Sequence, residues 1–148
     1  MYTINIDGTG LKKLITTPYP SFRFALYSVS YSPDGTLIAF TGRGPEDKWA
    51  KIYIIDADRK NLRRLTKDDP LRGELEYSWS PDGKKIAFSG MRYDPEKKDF
   101  NYGIYTVNID GSDPRLICPT ENRVDWLAWR PRPKSLKDQN LISSFWNR

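Results

Sequence analysis

The sequence predicts an all-β fold made of repeated four-stranded antiparallel sheets, and three observations carry that prediction. A turn tetrapeptide, Ser32-Pro33-Asp34-Gly35, returns as Ser80-Pro81-Asp82-Gly83, 48 positions further on. A second motif, opening at Tyr2, Tyr53 and Tyr105, recurs at spacings of 51 and 52 and so keeps phase with the first. The runs between these turns are rich in Ile, Tyr, Val and Phe, the residue types that fit a pleated, half-buried surface. A period of about 50 residues marks a repeat architecture, whose units bury their faces only against their neighbours.

The elements follow in chain order as one domain. A half unit over residues 2–16 supplies Tyr2-Thr3-Ile4-Asn5-Ile6-Asp7-Gly8 and then Lys12-Lys13-Leu14, which are a third strand c, a turn and a fourth strand d. A full unit over 26–66 has strand a near Tyr27 to Tyr31, strand b over Leu37 to Thr41, strand c at Tyr53-Ile54-Ile55 and strand d at Arg63-Arg64-Leu65. The second full unit, 75–118, repeats this with Tyr77 to Trp79, Lys85 to Ser89, Tyr105-Thr106-Val107 and Arg115-Leu116-Ile117. A last half unit over 124–146 offers Val124 to Trp129 as strand a, a degraded turn at Arg130-Pro131-Arg132-Pro133, and Leu141 to Trp146 as strand b.

Turn chemistry explains why these residues recur. Proline presets the backbone angle at the second position of a type I turn, Asp34 and Asp82 suit the third, and Gly35 and Gly83 take the left-handed conformation that closes a three-residue hairpin loop. Asp7-Gly8 and Asp110-Gly111 turn strand c into strand d in the same spirit, whereas the middle copy has Asp58-Arg59 and is expected to need a different loop. Strands apolar on both faces imply sheets covered on both sides. Trp126 and Trp129 are expected to pack between units, and Cys118, inside an apolar run, to be a small buried hydrophobe.

Taken together, the aromatic-Ser-Pro-Asp-Gly turn and the Tyr-initiated c–d motif resemble the PD40 repeat of TolB-type β-propellers, a WD40-like repeat also found in the propeller domains of prolyl oligopeptidase-like peptidases. The resemblance covers nearly all of residues 2–133. It implies β-propeller blades with strand a lining a central channel, strand d outermost, and six blades as the usual ring.

The chain supplies close to three blades, fewer than the four or more of closed propellers. An arc of three would expose a flat apolar face at each end, and such faces call for a cover. Two chains joined head to tail would complete the shared blades and close a six-bladed ring, so a homodimer is the favoured expectation. Other oligomers, or a piece of a longer propeller, are the alternatives.

Composition narrows the chemistry. Charged residues at 29% and hydrophobic ones at 38% describe a chain that folds rather than one too polar to do so. The net charge of +5 is spread, with Lys and Arg interleaved among Asp and Glu, as in Lys67-Asp68-Asp69. A solvated mixed surface is expected in place of a nucleic-acid face. The chain has no histidine, which removes the usual Ser-His-Asp and Cys-His systems and the commonest zinc ligand. A single cysteine builds neither an intrachain disulfide nor a Cys-based metal site. No nucleophile elbow, phosphate loop or calcium-loop ligand run is present, so no cofactor, metal or catalytic residue is assigned. The recurring Asp34, Asp82 and Asp110 are read as turn residues. No apolar run reaches membrane-spanning length, and the start of the chain lacks a secretion signal, so the cytoplasm is expected by default, with a periplasmic or secreted longer parent as the open alternative.

What differs between repeats is where binding is expected, because blades must pack while their connections vary. The b-to-c connections, 42–51 and 90–102, are the longest inserts and carry Arg43, Trp49, Arg92, Tyr93, Phe100 and Tyr102. Arg and aromatic side chains on exposed loops dominate interface energies, although Trp49 and Tyr102 also suit the covering of blade edges. The expected function is a non-enzymatic module that holds a protein or peptide through these channel-mouth loops. The alternative is a hydrolase or lyase whose site forms only when the ring closes.

Overall fold

The chain is described from a computed structural model, which covers residues 2–13, 28–67, 71–73 and 76–130. Among the described residues eleven strands form, in the order β1 (Tyr2–Thr3), β2 (Lys12–Lys13), β3 (Val29–Tyr31), β4 (Leu37–Gly42), β5 (Lys51–Asp56), β6 (Arg63–Arg64), β7 (Leu71–Arg72), β8 (Tyr77–Trp79), β9 (Lys85–Asp94), β10 (Asp99–Asn108) and β11 (Arg115–Thr120). All pairings of these described strands are antiparallel, in three sheets that resemble partial propeller blades. β1 and β2 make a two-stranded hairpin, and β3-β4-β5-β6 a four-stranded meander. The largest sheet runs β11-β10-β9, with β8 against residues 86–88 and β7 against residues 91 and 92 on the same edge of β9.

The repeated turns close alike in both copies. The Gly35 amide donates to the Ser32 carbonyl at 2.9 Å and the Gly83 amide to that of Ser80 at 2.8 Å, with φ of 72° and 69° at the two glycines. Asp34 accepts from the Ser32 hydroxyl at 2.5 Å and from the Thr36 amide at 3.0 Å, while Asp82 accepts from Ser80 at 2.7 Å and the Lys84 amide at 3.1 Å. Those side-chain and backbone donors hold both carboxyls below the usual carboxylate range. Each aspartate therefore ties its turn to the residues two before and two after it.

The c-to-d turns overturn one expectation. The Arg59 amide donates to the Asp56 carbonyl at 2.8 Å, just as Gly8 donates to Asn5 at 2.9 Å and Gly111 to Asn108 at 2.8 Å. Arg59 stands at φ 73°, so the middle copy keeps the same loop and places an arginine in the glycine slot. Asp58, accepting from the Lys60 amide at 3.1 Å, fills the role that Asp110 plays toward Ser112 at 2.8 Å. The hydrogen-bond pattern repeated in all three copies offsets the roughly 1 kcal/mol that a left-handed non-glycine residue costs.

Packing follows the same repeat. Phe40 stacks on its cross-strand partner Tyr53 at 5.6 Å, and Phe88 on Tyr105 at 5.6 Å. In the larger sheet Phe88 shares its face with Tyr77, Trp79, Ile86 and Val107, and this face packs on Ala39, Ile52, Ile54 and Leu65 of the four-stranded sheet. Ile38, Phe40, Tyr53 and Ile55 form a second cluster on that sheet's other face. Both faces of its central strands are thus covered, as the sequence implied. Burying a side chain of this size contributes about 1.5–3 kcal/mol. The Tyr77 hydroxyl crosses the interface to donate to the Ala39 carbonyl at 2.6 Å, and burial pushes its pKa up to about 12.

The C-terminal end departs from the expected packing. Cys118 is exposed on β11, an edge strand among the described residues, and so are Leu116 and Ile117. Trp126 is 89% exposed and does not pack between sheets, whereas the Trp129 indole N–H donates to the Ser78 carbonyl at 2.9 Å. Residues 124–130 form no ladder and 131–146 lie outside the described residues, so the last half unit stays an expectation. Among the described residues no helix is long and apolar enough to cross a membrane.

Candidate functional site

The two b-to-c connections, read from the sequence as equivalent loops, are built differently. In the four-stranded sheet, residues 43–50 are a true loop wrapped around Asp47, which is only 4% exposed. Its Oδ2 accepts from the Gly44 amide at 2.9 Å and from the Tyr53 hydroxyl, and its Oδ1 from Arg64 Nη1 at 2.6 Å. Burial works against the charge of Asp47, yet the hydrogen bonds from Tyr53, Gly44 and Arg64 prevail and hold its carboxyl below the usual range. Burial, followed by the neighbouring carboxylate, pushes the Tyr53 phenol far above its ordinary value. The Asp47 carbonyl accepts from Arg43 Nε at 2.7 Å, which orients that arginine along the loop.

In the larger sheet no such loop exists. The β9–β10 ladder continues from Gly90↔Gly103 through Met91↔Tyr102, Arg92↔Asn101 and Tyr93↔Phe100 to Asp94↔Asp99, so Arg92, Tyr93 and Tyr102 lie on strands. The expectation that they sit in a connecting loop is corrected: the segment is a hairpin arm closed by residues 95–98. The physical reason is local. Tyr93, Phe100 and Tyr102 favour strands, Tyr93 packs edge-on against Phe100 at 5.4 Å, and Asp94 caps the turn by accepting from the Glu96 amide at 3.0 Å.

Loop and arm meet at a cavity of about 450 Å³. The loop contributes Arg43, Lys48, Trp49 and Ala50, while β9 and β10 contribute Ser89, Gly90, Met91 and Tyr102. Gly73 and Arg123 complete the lining. Of the residues singled out from the sequence, Arg43, Trp49 and Tyr102 are therefore brought together, and Arg92 and Tyr93 stand further along the arm, outside the cavity. Asp34, Gly35, Asp82, Gly83, Asp110 and Gly111 serve turns, away from it. Lys48, Met91 and Arg123 were missed, since nothing in their local sequence distinguishes them from other surface residues; Asp47 was missed because its partner Arg64 lies 17 positions away.

Among the described residues the lining joins Arg43, Lys48 and Arg123 to Trp49, Met91 and Tyr102. Such a site is suited to holding a ligand with both an apolar and a polar part. Among the described residues, no three His, Cys, Asp or Glu side chains converge in the manner of a metal site.

No family model matches the chain. It is 26% identical over 131 residues to an uncharacterized protein of Agrobacterium fabrum, covering 88% of this chain and 41% of that protein. It is 27% identical over 152 aligned positions to dipeptidyl-peptidase 5 of Aspergillus fumigatus, covering 89% of this chain and 21% of the peptidase. The chain thus spans well under half the length of the curated relatives it matches. Among solved structures, a TolB-assigned protein of Agrobacterium tumefaciens superposes with a TM-score of 0.59 at 22% identity, over 80% of this chain and 40% of that one. An oligogalacturonate lyase solved with manganese superposes with a TM-score of 0.52 at 19% identity, over 81% of this chain and 29% of the lyase. These likenesses show a propeller-like all-β fold, one shared by TolB-type proteins and by enzymes.

Proposed function

We propose that this chain is a non-enzymatic, TolB-like propeller module that holds a segment of a peptide or protein in the cavity between loop 43–50 and the β9–β10 arm. One observation carries the reading: Arg43 and Trp49 from loop 43–50 and Tyr102 from β10, more than fifty positions further on, line one cavity. Aromatic and arginine side chains of this kind are the usual anchors of a binding surface. A screen of fluorescent peptides against the intact chain is the test. Micromolar binding that falls at least tenfold in Trp49→Ala supports the reading, and a screen with no ligand above background sinks it.

The enzymatic alternative predicts turnover in a hydrolase and lyase screen that disappears in Arg43→Ala or Arg92→Ala; such turnover would replace the binding reading. Assembly is proposed alongside. Tyr2, Ile4, Ile6 and Leu11 are exposed on or beside the two-stranded β1–β2 hairpin, a row of apolar groups that a second copy would cover in a composite blade. Light scattering behind a sizing column is expected to give twice the monomer mass, and a stable monomer ends the composite-blade idea.

A further inference from the structure

We propose that the turn at residues 5–8 of one copy docks on β11 of a second copy, repeating the contact that turn 108–111 makes with residues 63–65 inside each chain; this rests on the assembly reading above. The two turns belong to nearly the same segment. Tyr2-Thr3-Ile4-Asn5-Ile6-Asp7-Gly8 and Tyr105-Thr106-Val107-Asn108-Ile109-Asp110-Gly111 share six of seven residues. They fold alike as well: the Asn5 amide donates to the Thr9 carbonyl at 2.9 Å and the Asn108 amide to that of Ser112 at 3.0 Å, with φ of 81° at Gly8 and 83° at Gly111. Their surroundings differ. Arg63 Nη2 donates to the Ile109 carbonyl at 3.1 Å, Ile109 packs on the cluster that holds Leu65, and a Cβ on Gly111 would stand 3.1 Å from the Leu65 carbonyl oxygen. Glycine there lets the turn lie against the neighbouring backbone. In the first turn Ile6 is fully exposed, and among the described residues no atom lies within 4 Å of where a Cβ on Gly8 would stand.

β11 is the strand that this turn fits. Arg115-Leu116-Ile117 follows β10 in the register in which Arg63-Arg64-Leu65 follows β5: Tyr105↔Leu116 and Thr106↔Arg115 match Tyr53↔Arg64 and Ile54↔Arg63. Ile117 therefore stands where Leu65 stands, yet it is 60% exposed against 3%. Arg115, whose Nε bonds Asp113 at 2.6 Å, occupies the place of Arg63. Within a chain the hairpin lies beside the four-stranded sheet, through Arg59 Nη1 on the Lys13 carbonyl at 3.3 Å, and that sheet lies beside the largest one. The open turn and β11 thus stand at opposite ends of the row. A second copy brings one to the other, and two-fold pairing makes the contact twice. The chain's own interface identifies the occupant, since β11 repeats the seat and the first hairpin repeats the turn.

The test is sedimentation equilibrium on the full chain. The unaltered protein is expected to give a mass of two chains, and Ile6→Asp and Ile117→Asp should each raise the dimer dissociation constant about tenfold or more, as a carboxylate buried in an apolar contact requires. Leu116→Asp, next to Ile117 but on the opposite face of the strand, should leave it within about twofold. All three positions are exposed, so the folded chain tolerates the changes, and unchanged circular dichroism certifies it. A dimer that survives both Ile6→Asp and Ile117→Asp overturns this docking and leaves assembly through another surface. A dimer that Leu116→Asp breaks as readily as Ile117→Asp overturns it too. A monomer at every concentration removes the inference together with the assembly reading, while the peptide-binding reading stands.

Discussion

The loop at 43–50 and the arm at 90–102 occupy the same topological slot in two adjacent sheets, yet opposite kinds of force shape them. The loop is drawn shut by one buried carboxylate that gathers an amide, a phenol and a guanidinium. The arm is held by main-chain ladder bonds that extend its sheet four residue pairs beyond Gly90↔Gly103. A connection closed by a single charged hub depends on one side chain and on its ionisation. A connection closed by a ladder spreads its stability over many bonds and depends on no single residue.

That contrast is open to direct attack. The largest expected effect is from Asp47→Ala, which leaves the Tyr53 hydroxyl and Gly44 amide without their acceptor and should cost about 1–3 kcal/mol. The urea midpoint measures the loss, and amide exchange should rise over 43–50 while 91–102 keep their protection. Acid is the second probe. Asp47 has its folded pKa depressed, so its contribution is present above the unfolded carboxylate value of about 3.9 and is lost as pH falls through the lower folded value. Exchange at Gly44 and Asp47 should therefore quicken below about pH 4. The ladder amides of the arm should not follow, and a parallel loosening of both segments would erase the distinction. The smallest effect belongs to Tyr93→Ala, which removes the edge-on pair with Phe100 and should weaken only the outer arm, by about 0.5–1.5 kcal/mol. Local exchange at 92–101 checks it; a global fall in stability would mean that the arm is part of the core.

The legible parts of the molecule were those set by near neighbours. Ser32-Pro33-Asp34-Gly35 and Ser80-Pro81-Asp82-Gly83 announce their hairpins because every bond that closes them lies within five residues. The Arg59 turn was misread for the same reason in reverse. Glycine is the residue that suits the slot at φ 73°, but the repeat's bonds around Asp56 and Lys60 hold the slot open to arginine. Arg43, Trp49 and Tyr102 were singled out as residues of two connecting loops, and they line one cavity with Tyr102 standing on a strand instead.

By itself the sequence determined the repeat, its phase, the turn chemistry and the all-β class, since these rest on residues within a few positions of one another. Only the tertiary structure decided that one connection curls around Asp47 while the other runs on as a ladder, that Arg123 joins Lys48 across a span of more than seventy residues, and that Trp126 and Cys118 face outward. Those outcomes depend on which faces meet and which edges go unpaired, a property of long-range packing that no local pattern encodes.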